Sequence, residues 1–195
     1  MIKPEFRHIL AALLTGLLAA NSLAADWQIN TLMQQLALSK SGHASFVEKK
    51  YIGIVDKPVV SSGELFFTAP DKLEKRTLKP RAESLVLDGQ RLTIDRPDKA
   101  RLSLNLQDYP EAAAFVESIR GTLAGDKSAL EKVYRLTLNG TQEKWQLILL
   151  PKYSRMSDLV SRIVVNGTQG EIRRIDFDLP DGDRSEMLVT KVAAQ

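Results

Sequence analysis

The chain has 195 residues, no cysteine, and 27 lysines and arginines against 24 aspartates and glutamates. The lack of cysteine excludes disulfides, thiol catalysis and thiolate metal ligands, and this length suits one domain with a packed core. Basic and acidic residues are interleaved, as on solvated strand faces, instead of forming the basic stripe of a nucleic-acid-binding protein. We therefore expect no nucleic-acid partner.

The first 24 residues have the pattern of a secretory signal peptide. A short positive region precedes an apolar run over residues 9–20, which is too short to span a bilayer. The small residues Ser22 and Ala24 then have the spacing that a signal peptidase recognises. We expect cleavage after Ala24 and a soluble periplasmic domain of residues 25–195, because no cysteine can carry a lipid anchor. The alternative is an uncleaved amphipathic helix, but the apolar run has no polar face.

The apolar periodicity of the mature chain changes from helical to strand-like at Ala44. Ile29, Leu32, Met33 and Leu36 follow the i, i+3, i+4, i+7 spacing of an amphipathic helix that covers an apolar surface. After Ala44 the alternation has a period of two and predicts strands. The predicted strands cover residues 46–51, 63–68, 73–78, 84–87, 91–94, 134–138, 145–150, 161–165, 171–179 and 185–192.

Four dipeptides between the predicted strands have the chemistry of tight hairpin turns. They are Asp88-Gly89, Asn139-Gly140, Asn166-Gly167 and Asp181-Gly182. Asn-Gly or Asp-Gly between apolar alternations is the strongest short-range hairpin signal in a sequence. The predicted strands therefore follow one another as an antiparallel meander.

Two helices interrupt the predicted meander near its middle. Asp108 is placed as the N-cap of the first, Pro110 lies near its first position, and apolar residues continue at helical spacing to Leu123. A shorter helix follows from Asp126 to Val133. The expected fold class is mostly β with helices (α+β), a single curved antiparallel sheet with helices gathered on one side.

The sequence lacks the residues that most enzymes and metal proteins require. His43 is the only histidine outside the predicted signal peptide, so no His-pair metal site and no Ser-His-Asp triad can be assembled. The acidic run over residues 178–183 lacks the alternating ligands and terminal glutamate of a calcium loop and is typical of a turn. No glycine-rich phosphate loop is present. We expect no catalysis, no metal and no cofactor.

Several segments of the mature chain carry a family resemblance. They are Ala44-Ser45-Phe46, Gly63-Glu64-Leu65-Phe66-Phe67 with Pro70 after it, Ser84-Leu85-Val86-Leu87-Asp88-Gly89 after Pro80, and Trp145-Gln146-Leu147-Ile148-Leu149-Leu150-Pro151-Lys152. In this order they resemble the LolA family of periplasmic lipoprotein carriers, over nearly the whole mature chain. The segments Leu123-Ala124-Gly125-Asp126 and Asp181-Gly182-Asp183 are similar to a LolA-related subgroup.

The resemblance implies an unclosed antiparallel β-barrel, or half-barrel, capped by the N-terminal helix and by a mid-chain helical lid. Acyl chains would lie between sheet and helices. The implied cavity residues are Phe46, Leu65, Phe67, Leu85, Leu87, Leu92, Ile94, Trp145, Leu147 and Leu149, and the implied lid residues are Phe115, Val116 and Ile119. From residue type alone, an ordinary closed core is the more frequent role for any one of them, and only the resemblance favours a cavity. Release of cargo favours a smooth apolar wall without specific polar anchors.

The resemblance also implies a function without catalysis. A monomeric carrier would take an acylated lipoprotein, a glycolipid or another envelope lipid from an inner-membrane exporter to an outer-membrane acceptor. The alternative is a non-transporting interaction module whose half-barrel core is filled. In the founding carriers an arginine before the strand-ending proline helps latch the lid, whereas Ala69 precedes Pro70 here. We therefore expect the lid to be held mainly by apolar packing.

Overall fold

The computed structural model of the protein describes residues 27–193. The predicted signal peptide and its cleavage after Ala24 lie outside the described residues. Between residues 27 and 193, no helix combines the length and the apolar character needed to cross a membrane.

The described chain folds into one antiparallel sheet of eleven strands. The strands are β1 Ser41–Tyr51, β2 Val59–Thr68, β3 Lys72–Lys79, β4 Glu83–Asp88, β5 Arg91–Arg96, β6 Lys99–Asn105, β7 Tyr134–Thr141, β8 Lys144–Pro151, β9 Arg162–Thr168, β10 Glu171–Asp178 and β11 Arg184–Lys191. Their order across the sheet is β6-β5-β4-β3-β2-β1-β11-β10-β9-β8-β7. Because β6 and β7 are the two edges, the sheet is unclosed, and the expected α+β half-barrel is confirmed.

Four helices accompany the sheet within the described residues. They are α1 Ile29–Ala37, α2 Pro110–Ala124, α3 Lys127–Val133 and α4 Ser154–Ser157. As predicted, α1 is amphipathic, and Leu32, Met33 and Leu36 on its apolar side are buried. Gly125 joins α2 to α3 in the left-handed conformation, at φ 66°. A Cβ there would lie 2.0 Å from the Met33 carbonyl oxygen, so only glycine lets α1 approach this junction so closely.

The start of α2 differs from the sequence prediction. Pro110 occupies the first turn as expected, but Asp108 is not the N-cap. It lies in a short 3-10 turn, Leu106–Asp108, which is stabilised because the Asn105 side chain accepts a hydrogen bond from the Gln107 amide. This local turn satisfies the backbone before the helix begins, so the prediction of an Asp108 cap is wrong.

Two of the four predicted hairpin turns are confirmed. Gly89 and Gly182 have positive φ angles of 56° and 89°, at the β4–β5 and β10–β11 connections. Aspartate followed by a left-handed glycine therefore marks the turn itself in both places.

The two Asn-Gly predictions are wrong, because both dipeptides lie inside strands. Gly140 is in β7 and has φ 93°, and a Cβ there would lie 2.2 Å from the Lys144 carbonyl oxygen. Gly167 is in β9 beneath the Trp145 indole, and a Cβ there would lie 2.2 Å from that ring. Close approach of the partner strand and of tryptophan explains these glycines. The turns follow later in the chain, as at Gln169, where φ is 53°.

The main core lies between the helices and strands β7 to β10. Its buried members are Leu32, Met33, Leu36, Leu130, Tyr134, Trp145, Leu147, Leu149, Met156, Val160, Ile163 and Val165. Strand β6 and helix α4 were not predicted from the sequence. The face of the sheet that carries this core is called the inner face below.

Candidate functional site

All ten predicted cavity residues lie on the inner face of the sheet. Residues paired across neighbouring strands share a face. The pairs link Leu147 to Val165, Val165 to Ile175, Ile175 to Met187, and Met187 to Glu48, which shares its face with Phe46.

Strand pairing also places two rows of residues on the inner face in the other half of the sheet. One row of successive partners from β2 to β6 is Phe67, Leu73, Leu87, Leu92 and Leu104. The next row from β1 to β6 is Ala44, Leu65, Lys75, Leu85, Ile94 and Leu102. The inner face is therefore a continuous, mostly apolar wall in these two rows.

The two halves of the inner face differ in how fully they are covered. Trp145, Leu147 and Leu149 are at most 1% exposed and belong to the core under the helices. The Trp145 indole also donates a hydrogen bond of 2.7 Å to the Gln169 carbonyl oxygen. Such contacts are typical of a filled core. A role of these three residues in cargo binding stays a prediction.

The half formed by β1 to β5 is less completely covered. Phe46, Phe67 and Leu87 are buried there. The remaining predicted cavity residues in this half are partly exposed; they are Leu65, Leu85, Leu92 and Ile94. A site for an apolar ligand is expected to have apolar side chains that line a concave surface and remain partly exposed to solvent.

A buried ion pair interrupts this wall. Glu48 is 4% exposed and accepts hydrogen bonds from Lys75 Nζ at 2.5 Å and from Ser185 Oγ at 2.6 Å. The Lys75 ammonium also lies 4.9 Å from the centre of the Phe46 ring. Burial alone would raise the pKa of Glu48, but Lys75, Ser185 and Lys50 together hold the pKa below its ordinary value. Glu48 is therefore a charged carboxylate on the inner face at neutral pH.

A polar pocket lies at one end of the same half. Its volume is about 390 Å³. The lining residues come from the β3–β4 and β5–β6 connections and the adjoining strand ends, and they are Thr77, Pro80, Arg81, Ala82, Glu83, Arg96, Asp98 and Lys99. Arg96 Nε donates a hydrogen bond of 2.5 Å to Glu83 Oε2. This end is called the Pro80 end, and the opposite end, at the β4–β5 turn, is called the Gly89 end.

Helix α2 is connected to the Gly89 end by an arginine. Arg120 is 6% exposed, its Nη2 donates a hydrogen bond to the Gly89 carbonyl oxygen, and its Nη1 lies 2.5 Å from Glu117 Oε1. The expectation of a helix held mainly by apolar packing is thus incomplete. Ala69 supplies no latch, but the helix itself contributes a guanidinium that binds the sheet.

The predicted lid residues all lie on α2 and are partly buried. Phe115 packs against the main core, and its ring lies 5.6 Å from that of Phe177. Val116 and Ile119 are partly buried as well. The structure therefore brings the three side chains to the helix layer, and their action as a lid stays a prediction.

Comparison with known proteins assigns the chain to a family. The family model for "Outer membrane lipoprotein carrier protein LolA-like" matches residues 18–195. The chain belongs to the LolA-like family. A search of curated protein sequences finds no match.

Solved structures similar to this LolA-like chain are distant in sequence. A LolA superfamily protein from Nitrosomonas europaea is 9% identical with a TM-score of 0.47, over 86% of this chain and 94% of that one. In the MucA/MucB complex of Pseudomonas aeruginosa, the matched chain is 16% identical with a TM-score of 0.45. That match covers 88% of this chain and 58% of the other, so this protein spans less than two thirds of it.

A third similar structure is a putative outer membrane lipoprotein-sorting protein domain from Vibrio parahaemolyticus. It is 10% identical with a TM-score of 0.41, and the match covers 86% of this chain and 92% of the other. At these values the family assignment rests on the family model alone.

Four polar residues of this LolA-like chain were missed as candidates from the sequence: Glu48, Arg120, Arg81 and Lys99. In the sequence each is an ordinary charged residue in a mixed segment, and only the pairing of distant strands reveals the inner-face position of Glu48. Among the described residues, no cluster of three or more histidines, aspartates or glutamates is arranged to hold a metal ion.

Proposed function

We propose that this protein is a periplasmic, non-enzymatic carrier that binds acyl chains on the inner face of its half-barrel. One observation carries the proposal. The side chains of Leu65, Leu85, Leu92 and Ile94 share one concave face and remain partly exposed, although covering their remaining apolar surface would be stabilising by about 25 cal/mol per Å². A bound acyl chain would complete that burial.

The cargo in this proposal is an acylated lipoprotein, a glycolipid or another envelope lipid. It would be received from an inner-membrane exporter and delivered to an outer-membrane acceptor. The physical reason for a carrier is that each methylene exposed to water costs about 0.8 kcal/mol, so a lipid with two or three acyl chains needs an apolar container to cross the aqueous space.

A second candidate is the non-transporting interaction module with a filled core. It is favoured by Trp145, Leu147 and Leu149, which are at most 1% exposed and belong to the main core. The two candidates differ in the other half of the sheet, where the carrier requires a ligand on the exposed apolar side chains and the module does not.

Binding of a fluorescent fatty acid tests the proposal. Leu85 points to the inner face and Val86, its neighbour in β4, points to the outer face, and both are partly exposed. We expect Leu85→Gln to weaken probe binding about tenfold, because apolar contact with the chain is lost. The matched control Val86→Gln is expected to bind within about twofold of the wild type.

Two further measurements accompany the binding assay. Circular dichroism should show that both variants keep the sheet, and native mass spectrometry of the purified protein should detect co-purified lipid. The carrier is contradicted if no lipid is found and neither the wild type nor Val86→Gln binds the probe. That outcome favours the interaction module.

A further inference from the structure

The inner face changes from apolar to polar along the strands. At the Gly89 end, the row that contains Phe67, Leu87 and Leu92 is entirely apolar. Two residues further along β3 and β4, the row contains Leu85 together with Lys75, whose charge is balanced by Glu48. On β3 and β4 the next pair is polar, Thr77 with Glu83, and the same row continues to Gly63 in β2 and Phe46 in β1. The inner face therefore has an apolar end and a polar end, a difference that an ordinary closed core does not need.

The polar pocket at the Pro80 end completes the gradient. Three cationic side chains, Arg81, Arg96 and Lys99, line it together with two acids. Arg96 is engaged by Glu83 at 2.5 Å. Arg81 and Lys99 are exposed, and neither forms an ion pair with another residue in the described chain. Asp98 is their one unpaired acidic neighbour in the lining, so the pocket has an excess of positive charge.

We propose that the cargo is an anionic amphiphile bound in one orientation. Its acyl chain lies along the apolar rows toward the Gly89 end, and its carboxylate or phosphate headgroup lies in the pocket with Arg81 and Lys99. This inference rests on the proposed function, since it names the class and direction of the ligand of the same site.

Burial and charge both favour this orientation over the reverse. Reversal would place an anion against the apolar side chains of Phe67, Leu87 and Leu92 and a methyl end beside Arg96. The Arg120 guanidinium at the Gly89 end is already bound to the Gly89 carbonyl oxygen and to Glu117. The rows are far enough apart for such a ligand, because the four residue steps from Leu92 to Arg96 in β5 span about 13 Å of strand. Lys75 does not compete for the headgroup, because Glu48 already neutralises it.

A set of probes with one chain length tests the headgroup. Fluorescent dodecanoic acid is compared with its uncharged methyl ester, and unlabelled dodecyl phosphate and inorganic phosphate are used as competitors. We expect the acid to bind about fivefold more tightly than the ester at low salt, since two exposed cations contribute modestly to binding. We expect the preference to shrink at high salt. Dodecyl phosphate should displace the acid far better than inorganic phosphate does.

Charge-matched variants locate the effect. Arg81→Gln combined with Lys99→Gln should abolish the preference for the acid, by weakening acid binding to the level of the ester. The control combines Lys72→Gln with Arg91→Gln, which removes the same charge from exposed residues at the Gly89 end. The control should retain the preference.

The outcomes separate this inference from the proposed function. Equal binding of acid and ester by the wild type, or an undiminished preference in the double variant at the Pro80 end, overturns the headgroup site and leaves the carrier in place. Displacement by inorganic phosphate as effective as by dodecyl phosphate contradicts the need for an acyl chain. Failure of both the acid and the ester to bind overturns the inference together with the carrier.

Discussion

Among the residues of the inner face, Glu48 departs most from the expectation of an apolar surface. A smooth wall without polar anchors was expected, because cargo must be released from it. Glu48 is followed by two lysines in the sequence, as on a solvated strand face. In the structure its partners are Lys75, 27 residues away, and Ser185, 137 residues away. The ten apolar residues that the resemblance implied do share one face of the sheet, but the partners of Glu48 depend on which strands pair, and a local pattern does not contain that information.

The charge state of Glu48 makes stability depend on pH. Because its pKa is lowered in the folded protein, its contribution is present above the unfolded value near 4.5 and is lost as the pH falls through the folded pKa. We expect Glu48→Gln to lower the free energy of unfolding by about 2 kcal/mol at neutral pH and to flatten its decline below about pH 5.

Urea denaturation at several pH values between neutral and acidic measures this effect. Glu131→Gln on α3 is the control, because it removes an exposed carboxylate and should follow the wild-type pH profile. A Glu48→Gln profile parallel to the wild type would show that the carboxylate is not stabilised by its partners.

Among the secondary-structure elements, the hairpin turns show which structural features can be predicted from the sequence and which cannot. Asp-Gly predicted two turns correctly, whereas Asn-Gly predicted two turns inside strands. Gly167 is required by the Trp145 ring that packs on it, and Gly140 by the close approach of Lys144. Glycine has several uses in a sheet, and only tertiary packing tells a turn from a close contact.

The contact that attaches helix α2 to the sheet can be tested by mutation. Arg120 replaces the missing latch at Ala69 by donating from the helix to the Gly89 carbonyl oxygen. We expect Arg120→Met, which retains the apolar stem, to loosen the helix. Amide hydrogen exchange in α2 should accelerate about tenfold, because a charge-assisted bond from a buried guanidinium to the Gly89 carbonyl oxygen is lost. Bound acyl probe should also dissociate faster.

Hydrogen exchange measured by mass spectrometry, with stopped-flow release of the probe, checks both effects. Arg155→Met, on the short helix α4, is the control, since Arg155 is exposed there. Unchanged exchange in α2 would mean that Phe115 and its apolar neighbours hold the helix without the arginine, as the sequence alone suggested.

On the scale of the whole molecule, one continuous sheet supports two different environments. Strands β7 to β10 lie in the closed core beneath the helices, and strands β2 to β5 present a less covered apolar wall with a polar end. Period and turn chemistry, which are local, predicted a curved antiparallel sheet with helices on one side, and the family resemblance implied the half-barrel with its apolar face. The division into a filled and an open half was not predictable, since it depends on which strands the helices cover.

This division predicts a pattern of protection across the sheet. Without ligand, amides of β8 and β9 should exchange most slowly, because these strands are paired on both sides and opening them breaks the main core, and amides of β2 to β5 should exchange faster. A ligand that binds only the folded site at about 100 times its dissociation constant stabilises it by about 2.7 kcal/mol. Dodecanoic acid at that concentration should therefore slow exchange by about 100-fold in β2 to β5 and α2, wherever exchange requires the site to open. Exchange in β8 should change less. Equal slowing in every strand would show that the sheet opens as one unit, and an effect confined to β7 to β9 would place the ligand in the half that the structure shows as filled.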